Sequence, residues 1–238
     1  MSSTKESSIS STRATRPLQL VHSDVHGPVK VSTHHYWVSF IDDFSRFKAV
    51  YLLKRKSETF AAFKQFKAWA ENVTGLRMGS LRDDKGGEYM SREFEAFCID
   101  HGIQRQHTVR NRPQQNGVAE RANRTIEEGV ISMLYESGMP PSFWGKAISS
   151  FIHVSNRVTT TSLKGATPHE AFYGNKPDLS HLCVWGCTAY VSMHIIDAQE
   201  AFYRREQSMV ILVSSTGLRH LYVCYFHIII ATFDHWVY

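Results

Sequence analysis

The sequence predicts an α/β fold in which helices flank a mixed sheet of five strands. Segments rich in β-forming residues cluster early in the chain, whereas amphipathic helical segments dominate from the middle onward. In chain order they give β-β-β-α-β-α-β-α-α, a pattern that is typical of helices packed on one mixed sheet. The 238 residues, 42% of them apolar, exclude an intrinsically disordered chain and suit one core with additional segments.

Three strands are predicted before the first helix. The first alternates polar and apolar residues over 18–24 and stops at the turn Gly27-Pro28. The second, 36–41, and the third, 47–53, are rich in β-forming residues and are separated by only a few polar residues. Because these connections are short, the three strands should form an antiparallel meander.

The remaining elements alternate before giving way to helices. A helix that begins near Ser57 and ends at Gly75 is followed by a short strand at 78–81. A second helix, capped by Ser91, precedes a strand at 103–109. Three further helices are predicted at about 118–137, at about 142–158 and from Thr167-Pro168 onward.

The two ends of the chain differ in composition from the segment between them. Nine of residues 1–16 are Ser or Thr, which predicts a disordered leader or linker, with an organelle transit peptide as the alternative. Residues 17–191 form the predicted core with its helical extension. Residues 192–238 form a neutral tail whose two apolar runs indicate a degenerate β-rich extension, or else a poorly folded, truncated end.

Composition limits the compartment and the partners. The apolar runs of the tail are too short to span a bilayer, so no membrane association is expected. Four cysteines in a chain of this length give no disulfide framework and favour a reducing compartment. A formal net charge of +5 is compatible with a nucleic-acid partner without requiring one.

Three carboxylates occupy positions that suit a shared metal site. Asp24 ends the first predicted strand, Asp84 follows a later strand, and Glu120 lies in the first turn of the long helix. Hard divalent cations such as Mg²⁺ prefer oxygen ligands of this kind. The spacing alone is weak evidence, because any one of the 22 acids could be an exposed residue at a strand end or a helix start.

The segments around these acids carry a more specific signal. In order and spacing they resemble the integrase core of copia-type LTR retrotransposons, over about residues 12–191. The segments are LVHSDVHGP at 20–28, FIDDFSR at 40–46, LRDDKGGEY at 81–89 and PQQNGVAER at 113–121, with shorter matches up to HLCVWGC at 181–187.

This resemblance implies a ribonuclease H-like fold and metal-dependent polynucleotidyl transfer, that is, 3′-end processing and strand transfer of retrotransposon DNA. By motif match, Asp24, Asp84 and Glu120 are the catalytic residues and the ligands of two Mg²⁺ (or Mn²⁺) ions. The implied partners are the retrotransposon DNA ends and target DNA, with RNA as an additional candidate. The resemblance further implies self-association and action in the nucleus, otherwise in the cytoplasm, and no secretion.

Neighbouring acids have to be told apart. Only one of Asp83 and Asp84 can face the site if the backbone is extended there, and the family pattern Asp-x-Gly-Gly-Glu-Tyr selects Asp84. Asp42 and Asp43 are interpreted as residues that shape a turn.

Basic residues gather around Glu120, the sole acid between residues 105 and 124. Such guanidinium groups would meet an incoming phosphate backbone, although a solvated helix face is the plainer interpretation. The polar loop before the long helix could contact DNA or merely cap that helix. The predicted DNA-binding residues are Arg110, Arg112, Gln115, Asn116, Arg121 and Arg124.

Three alternatives to an active integrase remain open. The chain could be a catalytically inactive relic that only binds nucleic acid, or a ribonuclease H-type nuclease on RNA–DNA hybrids. His181, Cys183, Cys187 and His194 could hold zinc, but their spacing fits no usual zinc pattern and buried cysteines in a strand are favoured. Departures from the family pattern at both ends suggest a fragment or a decayed copy.

Overall fold

The computed structural model of the protein describes residues 13–29, 34–107 and 117–187. Within them, five strands form one mixed sheet, as predicted. The strands are β1 (Leu20–His26), β2 (Tyr36–Asp42), β3 (Lys48–Leu53), β4 (Ser80–Asp83) and β5 (Gln104–His107). Their order across the sheet is β3-β2-β1-β4-β5. The pairs β1–β2 and β2–β3 are antiparallel, whereas β1–β4 and β4–β5 are parallel.

Five α-helices connect and cover these strands in the predicted order. They are α1 (Thr59–Thr74), α2 (Arg92–Asp100), α3 (Gly117–Ser137), α4 (Trp144–Ser155) and α5 (Pro168–Tyr173). The predicted end of α1 is confirmed, since Gly75 adopts a left-handed conformation with φ of 67°. The predicted caps are confirmed as well: the Ser91 side chain accepts a hydrogen bond from the Phe94 amide at α2, and Thr167 accepts one from Glu170 at α5.

Successive side chains of β2 enter two different cores, one on each face of the sheet. On one face, Phe40 packs against Phe63 and Phe66 of α1, with ring centroids 5.9 and 4.6 Å away. On the other face, Trp37 contacts Trp144 of α4 at 5.9 Å and belongs to a buried cluster with Ile126 of α3. The sheet therefore separates two helical layers, and α3 lies directly against β1 and β2.

The segment that enters β1 corrects the predicted boundary of the leader. Ala14 is buried and its amide donates to Asp43 Oδ2 at 2.8 Å. The Arg13 guanidinium donates to the carbonyl oxygens of Phe44, at 2.7 Å, and of Ser162. Acceptors of Asp43 and Phe44 at the β2–β3 turn, together with the Ser162 carbonyl, thus hold Arg13 and Ala14, which composition alone assigned to a disordered leader.

Two predicted regions fall on other parts of the chain. Residues 1–12 of the predicted leader and all of the predicted tail, 192–238, lie outside the described residues. Within the described ranges, none of the helices has the length and apolar character needed to cross a membrane.

Candidate active site

The two predicted aspartates lie side by side in the sheet. β1 and β4 are parallel neighbours, with His22 of β1 in register with Arg82 of β4. Asp24, predicted to end the first strand, lies two residues before the end of β1 at His26, because β1 stays paired with β2 up to that residue. Asp84 directly follows the last residue of β4. Both are therefore near the carboxyl ends of adjacent parallel strands. Ligand sites in α/β sheets lie at this edge, because helices that leave the strands open a crevice there.

Asp24 has an acidic environment. Burial raises its pKa, and the negative charges of Asp84 and Glu120 raise it further, to a value of about 6. A hydrogen bond from the Asn123 side chain acts in the opposite direction, because it stabilises the ionised carboxylate. The carboxylates of Asp84 and Glu120 therefore act electrostatically on Asp24.

Asn123 is a site residue that the sequence analysis missed. Its side chain is 1% exposed, and Nδ2 donates to Asp24 Oδ2 at 2.9 Å. Its Oδ1 accepts from Trp37 Nε1 at 3.3 Å, so the amide is held from both ends. A signal was present in the sequence, since Asn123 follows Glu120 by three residues and therefore lies on the same face of α3.

Asp83 and Asp84 have different environments, in agreement with the choice made between them. Asp83 is fully buried and accepts hydrogen bonds from Arg105 Nη2 at 2.7 Å and from His107 Nδ1 at 2.8 Å. Asp84 is exposed, and its Oδ1 accepts from the Gly86 amide at 2.9 Å. Asp83 thus has a structural role that ties β4 to β5, whereas Asp84 is exposed and makes no hydrogen bond to β5.

A buried hydrogen bond supports β1 beneath the acids. The Tyr89 hydroxyl lies 2.7 Å from Ser23 Oγ, and both side chains are almost wholly inaccessible to solvent. Burial raises the pKa of Tyr89 well above its ordinary value, so this hydroxyl stays protonated. The contact fixes the strand residue next to Asp24 and thereby limits how far that carboxylate can move.

The pair Asp42 and Asp43 shapes a turn, as predicted. Asp42 accepts hydrogen bonds from the Leu18 amide and from both the amide and the hydroxyl of Ser45. Asp43 accepts from His22 Nε2 at 3.0 Å and from Arg46 Nη1 at 3.0 Å. These carboxylates are occupied by protein donors at the β2–β3 turn and are not available as metal ligands.

The donor set around Asp24 fits a hard divalent cation in its chemistry. Its oxygen donors are carboxylates, and the mutual repulsion that raises the pKa of Asp24 would be offset by a cation between them. In the described part of the chain, the structure contains no group of three side chains of His, Cys, Asp or Glu that is close enough to enclose an ion. Some adjustment of the exposed Asp84 and Glu120 side chains would accompany binding.

The cysteines differ from their predicted environment. Cys183 and Cys187 are exposed and lie in irregular chain, whereas the sequence analysis favoured buried residues in a strand. Leu182, Val184 and Trp185 beside them are apolar, but this segment pairs with none of the described strands and so forms no strand itself. His181 contacts His153, with the two Nε2 atoms 3.1 Å apart, and His194 lies outside the described residues.

The predicted DNA-binding residues divide into two groups. Arg121 and Arg124 are exposed on α3 beyond Glu120, and neither forms an ion pair with a carboxylate of the described residues. Arg105, which adds to the positive charge of this stretch, is instead engaged by Asp83. Arg110, Arg112, Gln115 and Asn116 lie outside the described residues.

Comparison with known sequences identifies relatives of the whole core. The integrase core domain family matches residues 14–113, a range that contains Asp24 and Asp84 and ends before Glu120. The chain is 45% identical, over 76% of its length, to the retrovirus-related Pol polyprotein from transposon TNT 1-94 of Nicotiana tabacum. It is 33% identical, over 76% of its length, to that from transposon RE1 of Arabidopsis thaliana. The chain spans only 14% and 12% of these two polyproteins.

Comparison with solved structures confirms the fold. The HTLV-2 integrase catalytic core domain in complex with magnesium superposes with a TM-score of 0.54 and 24% identity, covering 67% of this chain and 99% of that one. A chain of the simian T-cell lymphotropic virus intasome in complex with PP2A regulatory subunit B56 gamma superposes with a TM-score of 0.57 and 18% identity, covering 88% of this chain and 68% of that one. The predicted ribonuclease H-like architecture is therefore confirmed.

Proposed function

We propose that this chain, which belongs to the integrase core family of retrotransposon polyproteins, catalyses DNA integration by metal-dependent polynucleotidyl transfer. The observation that carries the proposal is the 2.9 Å hydrogen bond from Asn123 of α3 to Asp24 of β1, the strand that is paired in parallel with β4. Burial raises the pKa of Asp24, and the negative charges of Asp84 and Glu120 add to that rise. Three carboxylates that repel one another at a strand end form a costly arrangement unless a cation is bound there. The tobacco relative, at 45% identity, supports the retrotransposon context.

The metal ligands in this proposal are Asp24, Asp84 and Glu120. They would hold Mg²⁺ or Mn²⁺, two ions per site, and the HTLV-2 core domain in complex with magnesium supports this choice. When bound, the ions would act as Lewis acids that offset negative charge on the reacting phosphate. Asn123 would orient the Asp24 carboxylate through its 2.9 Å hydrogen bond and keep it ionised.

The proposed reaction needs no nucleophile from the protein. Water attacks a phosphodiester near the end of the retrotransposon DNA and leaves a free 3′ hydroxyl, which then attacks a phosphodiester of the target DNA. Each step exchanges one phosphorus–oxygen bond for another, so the contribution of the protein is positioning and charge stabilisation. The exposed Arg121 and Arg124 would receive the DNA backbone beside Glu120, together with Arg110, Arg112, Gln115 and Asn116.

Self-association and nuclear action belong to the same proposal. The similar fold of an intasome chain supports assembly into multimers, because two DNA ends have to be joined to one target. Nuclear action follows from the proposed DNA target. RNA remains a candidate partner on the grounds of the ribonuclease H-like fold alone.

Strand-transfer and disintegration assays on DNA oligonucleotides test this function. In Mg²⁺ or Mn²⁺ the wild-type chain should join DNA strands. The Asp84→Asn variant should do so roughly a hundredfold more slowly or worse, because a metal ligand supplies several kcal/mol of transition-state stabilisation. Asp100→Asn is the matched control, since Asp100 is an exposed acid at the end of α2.

Two results would count against catalysis. If Asp84→Asn were as active as the wild type, Asp84 would not be a metal ligand of the site. DNA binding that weakens with salt, without activity in either metal, would identify the chain as an inactive relic.

A further inference from the structure

Exposed cations lie at the same end of the sheet as the carboxylate site. Because β2 is antiparallel to both of its neighbours, β1 and β3 run in the same direction and finish at the same end. β1 finishes two residues after Asp24, and β3 finishes at Leu53, where the cations begin. We call this cluster the β3 basic surface, and its members are Lys54, Arg55, Lys56 and Lys64 of α1.

The three lysines of the β3 basic surface have no acidic partner among the described residues. Lys54, Lys56 and Lys64 are exposed and form no ion pair there. The one acid between residues 54 and 64 is Glu58. It lies 3.7 Å from Arg55 and accepts a hydrogen bond from the Lys54 amide at 2.8 Å. Exposed positive charge without a counter-charge attracts polyanions such as DNA.

Aromatic rings restrict two of the ammonium groups. Lys56 Nζ lies 5.7 Å from the centre of the Tyr36 ring, and Lys64 Nζ lies 4.6 Å from the centre of the Phe60 ring. Both rings are partly buried against the core that lies under α1, so the ammonium groups stay at the surface in a limited range of positions. A side chain that is already ordered loses less entropy when it binds a ligand.

α1 connects the β3 basic surface with the segment that carries Asp84. It begins at Thr59 and lies against Gly87–Tyr89, which follows Asp84 by three residues. In the first turn of α1, Phe60 packs against Phe94 of α2 with ring centroids 5.0 Å apart. The cations and the carboxylates therefore border the same end of the molecule.

The strand register gives the separation between Asp24 and Lys54. Asp24 pairs with Ser39, which in turn pairs with Val50. Lys54 therefore lies two strands across from Asp24 and four residues further along the strand direction. At about 3.3 Å per residue and 4.8 Å between strands, the two Cα atoms are roughly 16 Å apart. Successive phosphates of one DNA strand are about 3.4 Å apart along the helix axis, so this distance corresponds to about five nucleotides.

We propose that the β3 basic surface binds the phosphate backbone of one duplex arm of the DNA substrate, about five nucleotides from the phosphodiester at the carboxylate site. This inference rests on the proposed integration function, because the reacting phosphodiester sets the position of the duplex. Lys54, Lys56 and Lys64 contact phosphate oxygens, whereas Arg55 shares its charge with Glu58. Phosphate contacts carry no sequence information, so the surface positions a duplex of any sequence.

Fluorescence anisotropy with a labelled duplex in metal-free buffer tests the surface without requiring a reaction. The double variant Lys54→Gln/Lys56→Gln should reduce the slope of log affinity against log salt by about two, since each phosphate contact releases about one counterion. Lys164→Gln is the matched control and should keep the wild-type slope. Lys164 is exposed beside Ser162, which Arg13 links to the β2–β3 turn at the other end of the sheet.

A branched disintegration substrate tests where this contact lies, because its branch point has to occupy the carboxylate site. Each duplex arm is shortened in turn to fewer than about five base pairs, a length that no longer reaches Lys54. For the wild type, shortening one of the arms should reduce the rate at limiting DNA severalfold. Lys54→Gln/Lys56→Gln should be slower on the long arm and lose nothing further when that arm is shortened.

Lys64→Gln provides an independent check and should lower the salt slope by about one. Thermal unfolding shows whether each variant keeps its fold. Wild-type slopes in the folded variants would overturn the DNA contact. Equal losses from shortening the arms in the double variant and in the wild type would overturn its position. A wild type without strand transfer would count against the proposed function alone, because the salt slopes are measured without a reaction.

Discussion

At the scale of single residues, Asp24 holds its proton more tightly than an ordinary aspartate does, with a pKa of about 6. Burial is the main cause, the charges of Asp84 and Glu120 add to it, and the hydrogen bond from Asn123 opposes it. In metal-free protein, carboxyl ¹³C NMR should find this pKa near 6. Glu120→Gln should lower the pKa, and Asn123→Ala should raise it, because the latter removes the donor that stabilises the charge. If Glu120→Gln raised the pKa of Asp24 and Asn123→Ala lowered it, these side chains would not contact Asp24 in solution.

The same pKa predicts a dependence of stability on pH. Because the folded-state pKa exceeds the ordinary value of 3.8, the folded state binds the proton more tightly, and the free energy of unfolding falls as pH rises from about 4 to about 6. Asp24→Asn removes this penalty, so it should stabilise metal-free protein at pH 7 by roughly 1–3 kcal/mol and have little effect at pH 3. Urea unfolding at both pH values measures the difference.

Asp83 and Asp84 are adjacent, yet their substitutions should have different consequences. Asp83→Asn leaves Arg105 buried without its anion, so it should lower the free energy of unfolding by roughly 3–5 kcal/mol. Asp84→Asn alters an exposed side chain and should change stability by about 0.5 kcal/mol or less while abolishing strand transfer. Chemical denaturation and the strand-transfer assay, run on both variants, distinguish the two roles. Equal losses of stability would contradict them.

Sequence reasoning proposed three carboxylates for the site but did not identify the amide that holds one of them. Asp24, Asp84 and Glu120 stand in recognisable local segments, and strand ends are visible from the sequence pattern. Asn123 lies within a helix, where an asparagine is usually a neutral surface residue. Its role depends on contacts with Trp37 and Asp24, which lie 86 and 99 residues away in the sequence. Such long-range pairings are set by packing, and the helical spacing from Glu120 does not by itself reveal them.

At the scale of elements, the contact between α3 and α4 depends on Gly129. A Cβ at this position would lie 2.0 Å from the ring of Phe151 on α4. Alanine is favoured over glycine in a helix by about 1 kcal/mol, but the displaced ring should outweigh that gain. We expect Gly129→Ala to lower the free energy of unfolding by about 1–2 kcal/mol. Glu128→Ala, at an exposed neighbouring position, is the control and should change it by about 0.5 kcal/mol or less.

The order of strands and helices was predictable because hydrophobic periodicity and capping residues act locally. Ser91, Thr167 and Gly75 all mark helix ends as the sequence analysis expected. Two errors share one cause. Ala14 is buried within a polar segment, and Cys183 is exposed although the residues beside it are apolar. In both segments, burial of the side chains depends on whether a distant part of the chain packs against them. Composition carries no information about such a partner.

At the scale of the whole molecule, the positive charge should govern how the chain meets DNA. Arg121 and Arg124 extend from the carboxylate site along α3, exposed and without an ion pair among the described residues. Each Arg→Gln change should reduce the slope of log affinity against log salt by about one, since a phosphate contact releases about one counterion. Arg92→Gln should leave the slope unchanged. Fluorescence anisotropy with a labelled duplex over a range of salt concentrations measures all three.

The assembly of the site from three parts of the chain has a consequence for the order of folding. The meander of β1, β2 and β3 closes short loops, so Asp24 can take its place early. Asp84 arrives only when β4 pairs with β1 across the α1 crossover, and Glu120 only when α3 docks and Asn123 reaches Asp24. During refolding, circular dichroism should therefore recover before strand transfer does. A newly made chain would complete the carboxylate site only after the meander has formed, when β4 and α3 have joined it.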